Sequence, residues 1–425
     1  MEMSLQSPQV APPADHCPTG TAGWCCVQAG HREQYGIPRA LQRVGVLDRL
    51  ITDVWVPPGS VFAALTPGRW GRRLRDRFHA ELPLDKVNAS PWRSLGWSAG
   101  ASLRGLGGGR RVVARNTWWA GLAAGELRRN GTPTTRRIFS YCYETGGLFA
   151  VARELGLTTV LGQIDPGPVE DAKVAEIVRR WPSFRTSFQP GSDEYYENWR
   201  NECRFACHIV VNSEWSGAAL VNAGVPEYKI TVCPLVYTPP PEAAQWAKAY
   251  PESYSANRPL RVLFLGQCIL RKGIAETIQA AQRLQNRPVG FTFVGNTDIA
   301  GFESHFGGAR IRHIPRVSRA ECHAFYREAD VFLFPTHSDG FGLTQLEAQA
   351  WKLPIIASRF CGEVVAPGRT GWVLPDVSSN SIVDAVEHIL AHPAALAALS
   401  RAIAPWTYDL EQLGGCLARL GEALP

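Results

Sequence analysis

From Gly23 onward the chain alternates short apolar runs with amphipathic stretches, and this alternation limits its fold more than any other feature. Apolar runs followed by amphipathic helices are typical of β/α units around parallel sheets. The first half contains six predicted strands, Trp24–Gln28, Ile51–Val56, Arg137–Tyr141, Thr158–Gln163, His208–Asn212 and Ile230–Cys233, and the helices Gly147–Leu155 and Trp215–Ala223. Ser213 is suited to cap the second of these helices.

The alternation stops between Tyr237 and Pro259, where the sequence is rich in proline and polar residues, and then resumes. The second run contains the predicted strands Arg261–Leu265, Phe291–Val294, Val331–Phe334 and Pro354–Ala357, with helices beginning near Gly273, Arg319 and Thr344. A chain of 425 residues is long enough for two domains. We predict a frayed tail at 1–22, a first domain at 23–240, a linker at 241–259, a second domain at 260–404 and an amphipathic C-terminal helix at 405–425.

Composition and charge narrow the class of protein. Hydrophobic residues make up 45% of the chain and charged residues 19%, which favours folded domains over long disordered regions. The N-terminus lacks a basic segment followed by an apolar run, and no stretch approaches the ~20 apolar residues of a membrane span. We therefore expect a cytoplasmic protein. No recognition motif for nucleic acid accompanies the net charge of +6.

The segment from Arg69 to Phe78 interleaves five arginines with Trp70 and Phe78. Basic side chains with aromatic anchors fit anionic lipid headgroups, so this region predicts peripheral contact with the inner face of the membrane. A solvated helix face with a few core residues is the alternative.

The eleven cysteines are odd in number, scattered and flanked by apolar residues, which favours buried thiols over a disulfide framework. Cys203, Cys207 and His208 lie close together in the sequence. They lack a visible fourth zinc ligand, so core packing is the favoured interpretation and a metal site the alternative. We expect no bound metal and no cofactor.

The segment Ser338–Ser358 contains the strongest motif, with Asp339 and Glu347 placed around the glycine-containing loop 340–342 ahead of a helix. Glycines let backbone N–H groups approach a diphosphate, and a helix N-terminus favours an anion. The two carboxylates suit the hydroxyl groups of a sugar. Thr344 and Glu347 also fit a capping box, in which the glutamate serves the helix alone.

A second cluster, in RVLFLGQCILRKG, places Arg271 and Lys272 after the strand that ends at Gly266. Loops at the carboxyl ends of parallel strands are where open α/β sheets bind ligands. Charge-assisted hydrogen bonds of ~1.5–3 kcal/mol each would hold a leaving diphosphate there. The alternative is a solvated basic pair in a loop.

These two segments together resemble the donor-site motifs of glycosyltransferase family 4, whose members are retaining enzymes. The resemblance implies the GT-B fold, an α/β architecture of two Rossmann-like doubly wound domains facing a central cleft, with a C-terminal helix that crosses back to the first domain. It implies a donor site made by Gly30, Gly266, Gln267, Arg271, Lys272, Gly295, Asp339, Gly340, Phe341, Gly342, Leu343 and Glu347. In this site Glu347 would bind the ribose and Asp339 the donor sugar. The chain departs from the family at Asp339, where a glutamate is usual, and at Gln267, where an arginine is usual.

The resemblance implies three catalytic residues, Asp165, Lys272 and Asp339. Asp165 follows a predicted strand, where a carboxylate would orient the acceptor or stabilise positive charge, although an aspartate that begins a DPGP turn explains it equally well. Gly30 and Gly295 are open to the same alternative, because glycines commonly serve turns.

The implied function is metal-independent transfer of a hexosyl unit, with retention, from a nucleotide-diphosphate sugar to a glycan or lipid-linked acceptor in cell-surface polysaccharide or glycolipid synthesis. Two alternatives stay open. One is a GT-B isomerase or phosphorylase. The other is a non-catalytic protein that binds a sugar nucleotide, which Gln267 and Asp339 make credible.

Overall fold

The computed structural model describes residues 23–60, 77–130 and 133–420, and they form two parallel sheets covered by helices. The predicted tail, residues 69–76 of the predicted membrane-contact segment and the last five residues lie outside these ranges. The α/β fold with two doubly wound sheets is confirmed.

The first sheet has seven parallel strands in the order β3-β2-β1-β4-β5-β6-β7. The strands are β1 (Gly23–Gln28), β2 (Leu47–Thr52), β3 (Val87–Ala89), β4 (Thr135–Tyr141), β5 (Thr158–Gly162), β6 (His208–Val211) and β7 (Ile230–Val232). The helices of this half are α1 (Gly36–Arg43), α2 (Pro91–Leu103), α3 (Gly108–Asn130), α4 (Leu148–Glu154), α5 (Pro168–Arg180), α6 (Asp193–Phe205) and α7 (Glu214–Asn222). Ser213 caps α7 as predicted, since its Oγ accepts a hydrogen bond from Ser216 N.

The second sheet has six parallel strands in the order β10-β9-β8-β11-β12-β13. They are β8 (Leu260–Leu265), β9 (Val289–Val294), β10 (Ile311–Ile314), β11 (Val331–Phe334), β12 (Ile355–Ala357) and β13 (Gly371–Val373). The helices are α8 (Ile274–Arg283), α9 (Arg319–Glu328), α10 (Thr344–Ala350), α11 (Ser379–Ala391) and α12 (Ala394–Ala402). In each sheet the strand order reverses once in the interior, between β1 and β4 and between β8 and β11. Open α/β sheets bind ligands outside the carboxyl ends of strands at such switch points.

The C-terminal helix α13 (Leu410–Leu420) returns to the first domain, as predicted. Its buried face contributes Leu413 and Leu417 to the same core cluster as Trp24 of β1. Gly414 lies against α1 so closely that a Cβ would stand less than 3.0 Å from the Ala40 carbonyl oxygen. The last helix of the chain therefore completes the core of the first domain.

Two kinds of difference separate the predicted and observed strands. The strand predicted at Ile51–Val56 begins earlier, at Leu47, and ends at Thr52, because the Asp53 carboxylate accepts the N–H of Val54 and the chain leaves the sheet there. The short strands β3, β10 and β13 were not predicted. They lie at or next to the sheet edges, where three or four residues give little sequence pattern.

Among the described residues, no single helix combines the length and the apolar composition needed to cross a membrane. Helices α11 and α12 meet that test only when taken together, and they are bent by 100° at their junction.

We expect Leu417→Ala to destabilise the first domain by about 2–5 kcal/mol, because it opens a cavity in a core that the terminal helix completes. Urea denaturation monitored by tryptophan fluorescence measures this loss. Glu411→Ala, on the exposed face of the same helix, should change the free energy of unfolding by less than about 0.5 kcal/mol. Equal losses in the two variants would contradict the packing role of α13.

Candidate functional site

A cleft of about 320 Å³ lies where the carboxyl edges of the two sheets face each other. The second domain lines it with loops that follow β8 and β11, and the first domain with residues that follow β1, β5 and β6. The lining includes eight of the predicted donor-site residues, Gly266, Gln267, Arg271, Lys272, Asp339, Phe341, Gly342 and Leu343. It also includes Arg32, Glu33, Asn212 and Leu235, which the sequence did not predict.

The two predicted cations lie in the wall of this cleft. Lys272 forms an ion pair with Asp339, and burial together with the nearby Arg271 guanidinium lowers the Lys272 pKa. Arg271 donates to the Ser338 carbonyl oxygen at 2.7 Å and pairs with Glu170 of α5 at 3.3 Å. Each cation is thus matched by a carboxylate, and Arg271 joins the two domains.

The turn that carries these cations is held by Gly273, which has φ 72°. A Cβ at this position would lie less than 3.0 Å from the Pro335 carbonyl oxygen, so both the backbone conformation and the close contact require glycine. This geometry turns Arg271 and Lys272 toward the end of β11.

The loop after β11 offers backbone donors to the cleft. Within the described part of the chain, the N–H groups of Gly342, Leu343 and Thr344 have no hydrogen-bond acceptor. All three residues line the cleft. Three consecutive free N–H groups beside a lysine form a site suited to an anion.

Gly340 makes a close contact with the first domain, and its part in donor binding stays a prediction. A Cβ there would lie less than 3.0 Å from the Ile164 carbonyl oxygen, which belongs to the first domain. The Gly340 carbonyl oxygen accepts hydrogen bonds from Ser213 Oγ at 2.7 Å and Ser216 Oγ at 3.2 Å. This glycine is therefore a point of close approach between the domains, and it lies between Asp339 and the free N–H groups of residues 342–344.

Glu347 does not form the capping box that was the alternative to ligand binding. Helix α10 has Leu343 at its N-cap position and no side-chain cap. The Glu347 carboxylate instead accepts a hydrogen bond from Tyr326 Oη at 2.8 Å and lies 3.5 Å from the Arg319 guanidinium. It stands one turn beyond the free N–H groups of the loop.

Gly295 and Gly266 form a close backbone contact between the ends of β9 and β8. A Cβ on Gly295 would lie less than 3.0 Å from the Gly266 carbonyl oxygen, so packing explains this glycine. Gln267 is exposed and faces the cleft. The position where the family resemblance implies an arginine thus carries an uncharged side chain.

Asp165 lies at the end of β5, with its backbone against Gly340. Its Oδ1 accepts hydrogen bonds from Tyr143 Oη at 3.0 Å, Gln163 Nε2 at 3.0 Å and Gly167 N at 2.9 Å. The bond from Gly167 is the turn contact expected of the DPGP alternative. Burial raises the Asp165 pKa, and these hydrogen bonds oppose the rise.

Tyr143 is strained and held from several sides. It has φ 68°, which is unfavourable for any residue with a side chain, and it stacks on Tyr195 at 4.7 Å. Its backbone N–H donates to the buried Glu202 at 2.7 Å. Strain of this kind persists only where surrounding contacts enforce it, and it is commonest at functional sites.

A groove of about 340 Å³ adjoins Tyr143 on the first domain. Its walls come from α3, α4 and α6. Most of the lining side chains that can stack or form hydrogen bonds are aromatic rings and amides. The residues that provide these surfaces are Asn116, Tyr143, Tyr195, Asn198, Asn201 and Glu202.

Gly30 does not line the cleft. It has φ 87°, and its N–H donates to Asp53 at 2.8 Å, so it serves the turn after β1. The next residues of this turn, Arg32 and Glu33, do reach the cleft. Arg32 stacks on the Tyr141 ring at 5.1 Å. The turn therefore reaches the cleft through Arg32 and Glu33 and not through Gly30.

The first domain holds three carboxyl groups whose pKa burial raises to about 7, those of Glu33, Glu144 and Glu202. Glu144 accepts a hydrogen bond from Ala29 N at 2.9 Å, which joins the ends of β1 and β4. The burial of Glu144 depends on tertiary packing, which the spacing of residues in the sequence does not indicate.

No group of three or more His, Cys, Asp or Glu side chains that could hold a metal ion occurs in the described ranges. Cys203 is buried in the core of the first domain, and Cys207 Sγ lies 3.4 Å from Thr159 Oγ1. Of the predicted membrane-contact segment, Arg77 pairs with Asp53 at 2.8 Å and Phe78 packs on Trp55, so both side chains face inward.

Comparison with known proteins agrees with this architecture. Residues 259–392 match the family of glycosyl transferases group 1. The structure of sucrose-phosphate synthase from Thermosynechococcus elongatus is similar, with a TM-score of 0.58 and 17% identity over 94% of this chain and 98% of that one. The chain has the GT-B fold, and residues 259–392 of its second domain are similar to the group 1 glycosyl transferases.

Two curated relatives are similar to this chain at higher sequence identity but over shorter lengths. D-inositol 3-phosphate glycosyltransferase from Arthrobacter sp. is 30% identical over 156 residues, covering 34% of this chain and 37% of that protein. GDP-mannose-dependent alpha-(1-6)-phosphatidylinositol monomannoside mannosyltransferase from Mycolicibacterium smegmatis is 31% identical over 184 residues, covering 40% and 48%. The chain spans about half or less of the curated relatives that it matches.

We expect Gly340→Ala to destabilise the protein by about 1–3 kcal/mol, because the added methyl group pushes against the first domain. Urea denaturation measures the effect. Gly290→Ala is a matched control, since its nearest neighbour would be 3.8 Å away. If both variants lose the same stability, the close contact between the domains is not the cause.

Glu144→Gln tests the raised pKa. An unfolded glutamate ionises near its ordinary pKa of 4.5, whereas native Glu144 keeps its proton up to about pH 7. Between these pH values the native state binds the extra proton, so the free energy of unfolding falls as pH rises, by about 3 kcal/mol, and then levels off above pH 7. The variant should lose this contribution in urea titrations across the window, while the exposed control Glu154→Gln keeps the wild-type slope.

Proposed function

We propose that this protein is a retaining glycosyltransferase that moves a hexosyl unit from a nucleotide-diphosphate sugar to a glycan or lipid-linked acceptor. The observation that carries the proposal is the convergence of Arg271, Lys272 and three free N–H groups on one interdomain cleft. A diphosphate leaving group needs donors of this kind, because negative charge develops on it as the glycosidic bond breaks.

The diphosphate would lie between Lys272 and the N–H groups of Gly342, Leu343 and Thr344. In this structure Asp339 forms an ion pair with the ammonium group of Lys272. A bound diphosphate would replace Asp339 as the ion-pair partner of Lys272 and raise the pKa of this lysine. Asp339 would then be free to accept hydrogen bonds from the donor sugar. Glu347, one turn further along α10, would accept hydrogen bonds from the ribose.

The acceptor would lie on the side of the first domain. Asp165, whose Oδ1 accepts a hydrogen bond from Tyr143 Oη, would orient the acceptor hydroxyl or stabilise the oxocarbenium-like transition state. The groove beside Tyr143 combines an aromatic stack with amide side chains, which suits the apolar faces and hydroxyl groups of a saccharide.

Retention would follow from attack on the face that the leaving group departs from, with a phosphate oxygen assisting removal of the acceptor proton. The chain's own residues hold the two substrates in register for this step. The proposal needs no metal and no cofactor. The names of the two curated relatives, which refer to inositol phosphate and phosphatidylinositol mannoside acceptors, support a role in cell-surface glycolipid or polysaccharide synthesis. The cytoplasmic location and the membrane contact of Arg69–Phe78 stay predictions.

The donor site is tested with Lys272→Met, which keeps the side-chain stem and removes its charge. We expect slow hydrolysis of the preferred sugar nucleotide to fall about 10²–10³-fold, because a group that stabilises the leaving diphosphate is lost. Glu347→Gln should weaken nucleotide binding through the ribose. A panel of uridine, guanosine and adenosine diphosphate sugars, followed by nuclear magnetic resonance, gives both the rate and the anomeric configuration of the product.

The control is Lys86→Met, which removes a lysine bound to Gln42 and Leu47 at a distance from the cleft. Unchanged turnover in Lys272→Met, with the variant still folded, would refute the donor site. An inverted product would refute retention alone.

One observation favours the non-catalytic alternative, namely the exposed Gln267 in place of a cation. Tight nucleotide binding without turnover of any sugar nucleotide would support that function. Phosphate-dependent glycan cleavage, or an epimerised product formed without an acceptor, would instead indicate a phosphorylase or an isomerase.

A further inference from the structure

The helical hairpin α2–α3 carries an apolar stripe on the side that faces solvent. Leu95, Ala99 and Leu103 recur every four residues along α2, and all three are exposed. Leu95 is 46% exposed and Leu103 is 89% exposed, whereas Ala101 is the buried residue of this helix. A surface helix normally turns its apolar stripe toward the core, so this arrangement is the reverse of the usual one.

The exposed apolar residues of the described chain are concentrated at this hairpin. Nine large hydrophobic residues are exposed, and four of them, Trp92, Leu95, Leu103 and Val112, lie within it. Contiguous exposed apolar surface in a folded protein marks an interaction site. We call residues 93–112 the hairpin tip.

Along residues 87–125 the charge of the hairpin has a single sign, and Glu126, the acidic residue that follows in α3, pairs with Arg93 at 3.8 Å. Residues 87–125 contain five arginines and no aspartate or glutamate. Arg93, Arg104 and Arg110 are exposed beside the apolar stripe. Two copies of this surface would repel each other, whereas a surface of anionic headgroups above acyl chains matches both its charge and its apolar stripe.

The hairpin is fixed to the first domain at the carboxyl edge of the sheet. Ser94 Oγ donates to the Asp53 carbonyl oxygen at 3.1 Å, and Arg115 pairs with the Asp53 carboxylate at 3.2 Å. Trp97 of α2 stacks on Trp118 of α3 at 5.6 Å, which holds the two helices together. Seven helical residues precede Arg115 in α3, a length of about 10 Å, and they belong to the exposed end of the hairpin.

We propose that the hairpin tip docks the protein on an anionic lipid surface. Leu95, Ala99 and Leu103 lie at the boundary between headgroups and acyl chains, and Arg104, Arg110 and Arg111 contact lipid phosphates. This surface is separate from the predicted Arg69–Phe78 segment, and the proposal does not depend on the transfer reaction.

The test is co-sedimentation of the full chain with lipid vesicles, without any sugar nucleotide. We expect binding to an equimolar mixture of phosphatidylcholine and phosphatidylglycerol, little binding to phosphatidylcholine alone, and weaker binding at high salt. The double variant Arg110→Gln/Arg111→Gln should bind about 25-fold more weakly, at about fivefold per arginine. Leu95→Ser/Leu103→Ser should bind at least about tenfold more weakly, and this loss should change little with salt concentration.

Matched controls separate the tip from general surface effects. Arg179→Gln/Arg180→Gln removes an equal charge from two exposed arginines of α5, and Leu155→Ser/Val221→Ser removes two exposed apolar residues of the first domain elsewhere. Both controls should bind as the wild type does, and circular dichroism should show that all four variants are folded.

Three outcomes overturn the proposal. The first is no affinity of the wild type for phosphatidylglycerol vesicles, and the second is an equal loss in the tip variants and their controls. The third is a wild-type dimer that the tip variants convert to a monomer while lipid binding is absent, which would make this face a contact between copies. Because the assay contains no donor, its result is independent of the transferase tests.

Discussion

The approach of Gly340 to the Ile164 carbonyl oxygen is the constraint on which the rest of the site depends. No side chain fits between these two segments, and the Gly340 carbonyl oxygen is bound by Ser213 and Ser216. Asp339 precedes this glycine and the free N–H groups follow it. This contact between the two domains therefore also fixes the loop that would bind the donor phosphates, so a change in domain separation moves the donor site with it.

The charges of the cleft extend this coupling. Arg271 is the cation shared between the domains, because it pairs with Glu170 of α5 while donating to the loop after β11. Ser338 Oγ donates to the same carboxylate at 2.8 Å. An anionic ligand would compete with Glu170 for Arg271. A ligand that displaces Glu170 would weaken this interdomain ion pair and form its own contact with Arg271. Binding and domain contact thus share the same atoms.

The sequence predicted the architecture because buried strands of four or more residues leave a continuous apolar run, as at Val331–Phe334. It did not predict the edge strands β3, β10 and β13, whose three or four residues carry no such run. In the site, the residues of the second domain were predicted because they follow strands in a motif. Arg32 was missed because a turn with positive φ after β1 directs it to the cleft, and Glu170 because its position on α5 alone indicates a solvated carboxylate. Both depend on tertiary contacts that spacing does not encode.

The hairpin and the cleft belong to the same edge of the first sheet, and this placement has a consequence for the acceptor. Asp53 anchors the hairpin directly after β2, while Asp165 follows β5 at the carboxyl edge of the same parallel sheet. The groove beside Tyr143 has α3 as one wall, so the helix that carries the basic tip also borders the space offered to a saccharide. A lipid-linked acceptor held at a membrane would then present its headgroup on the side of the protein where Asp165 lies. A glycan acceptor free in solution gains nothing from this arrangement, so the proposed docking of the hairpin tip, together with the proposed transfer reaction, predicts the lipid-linked class.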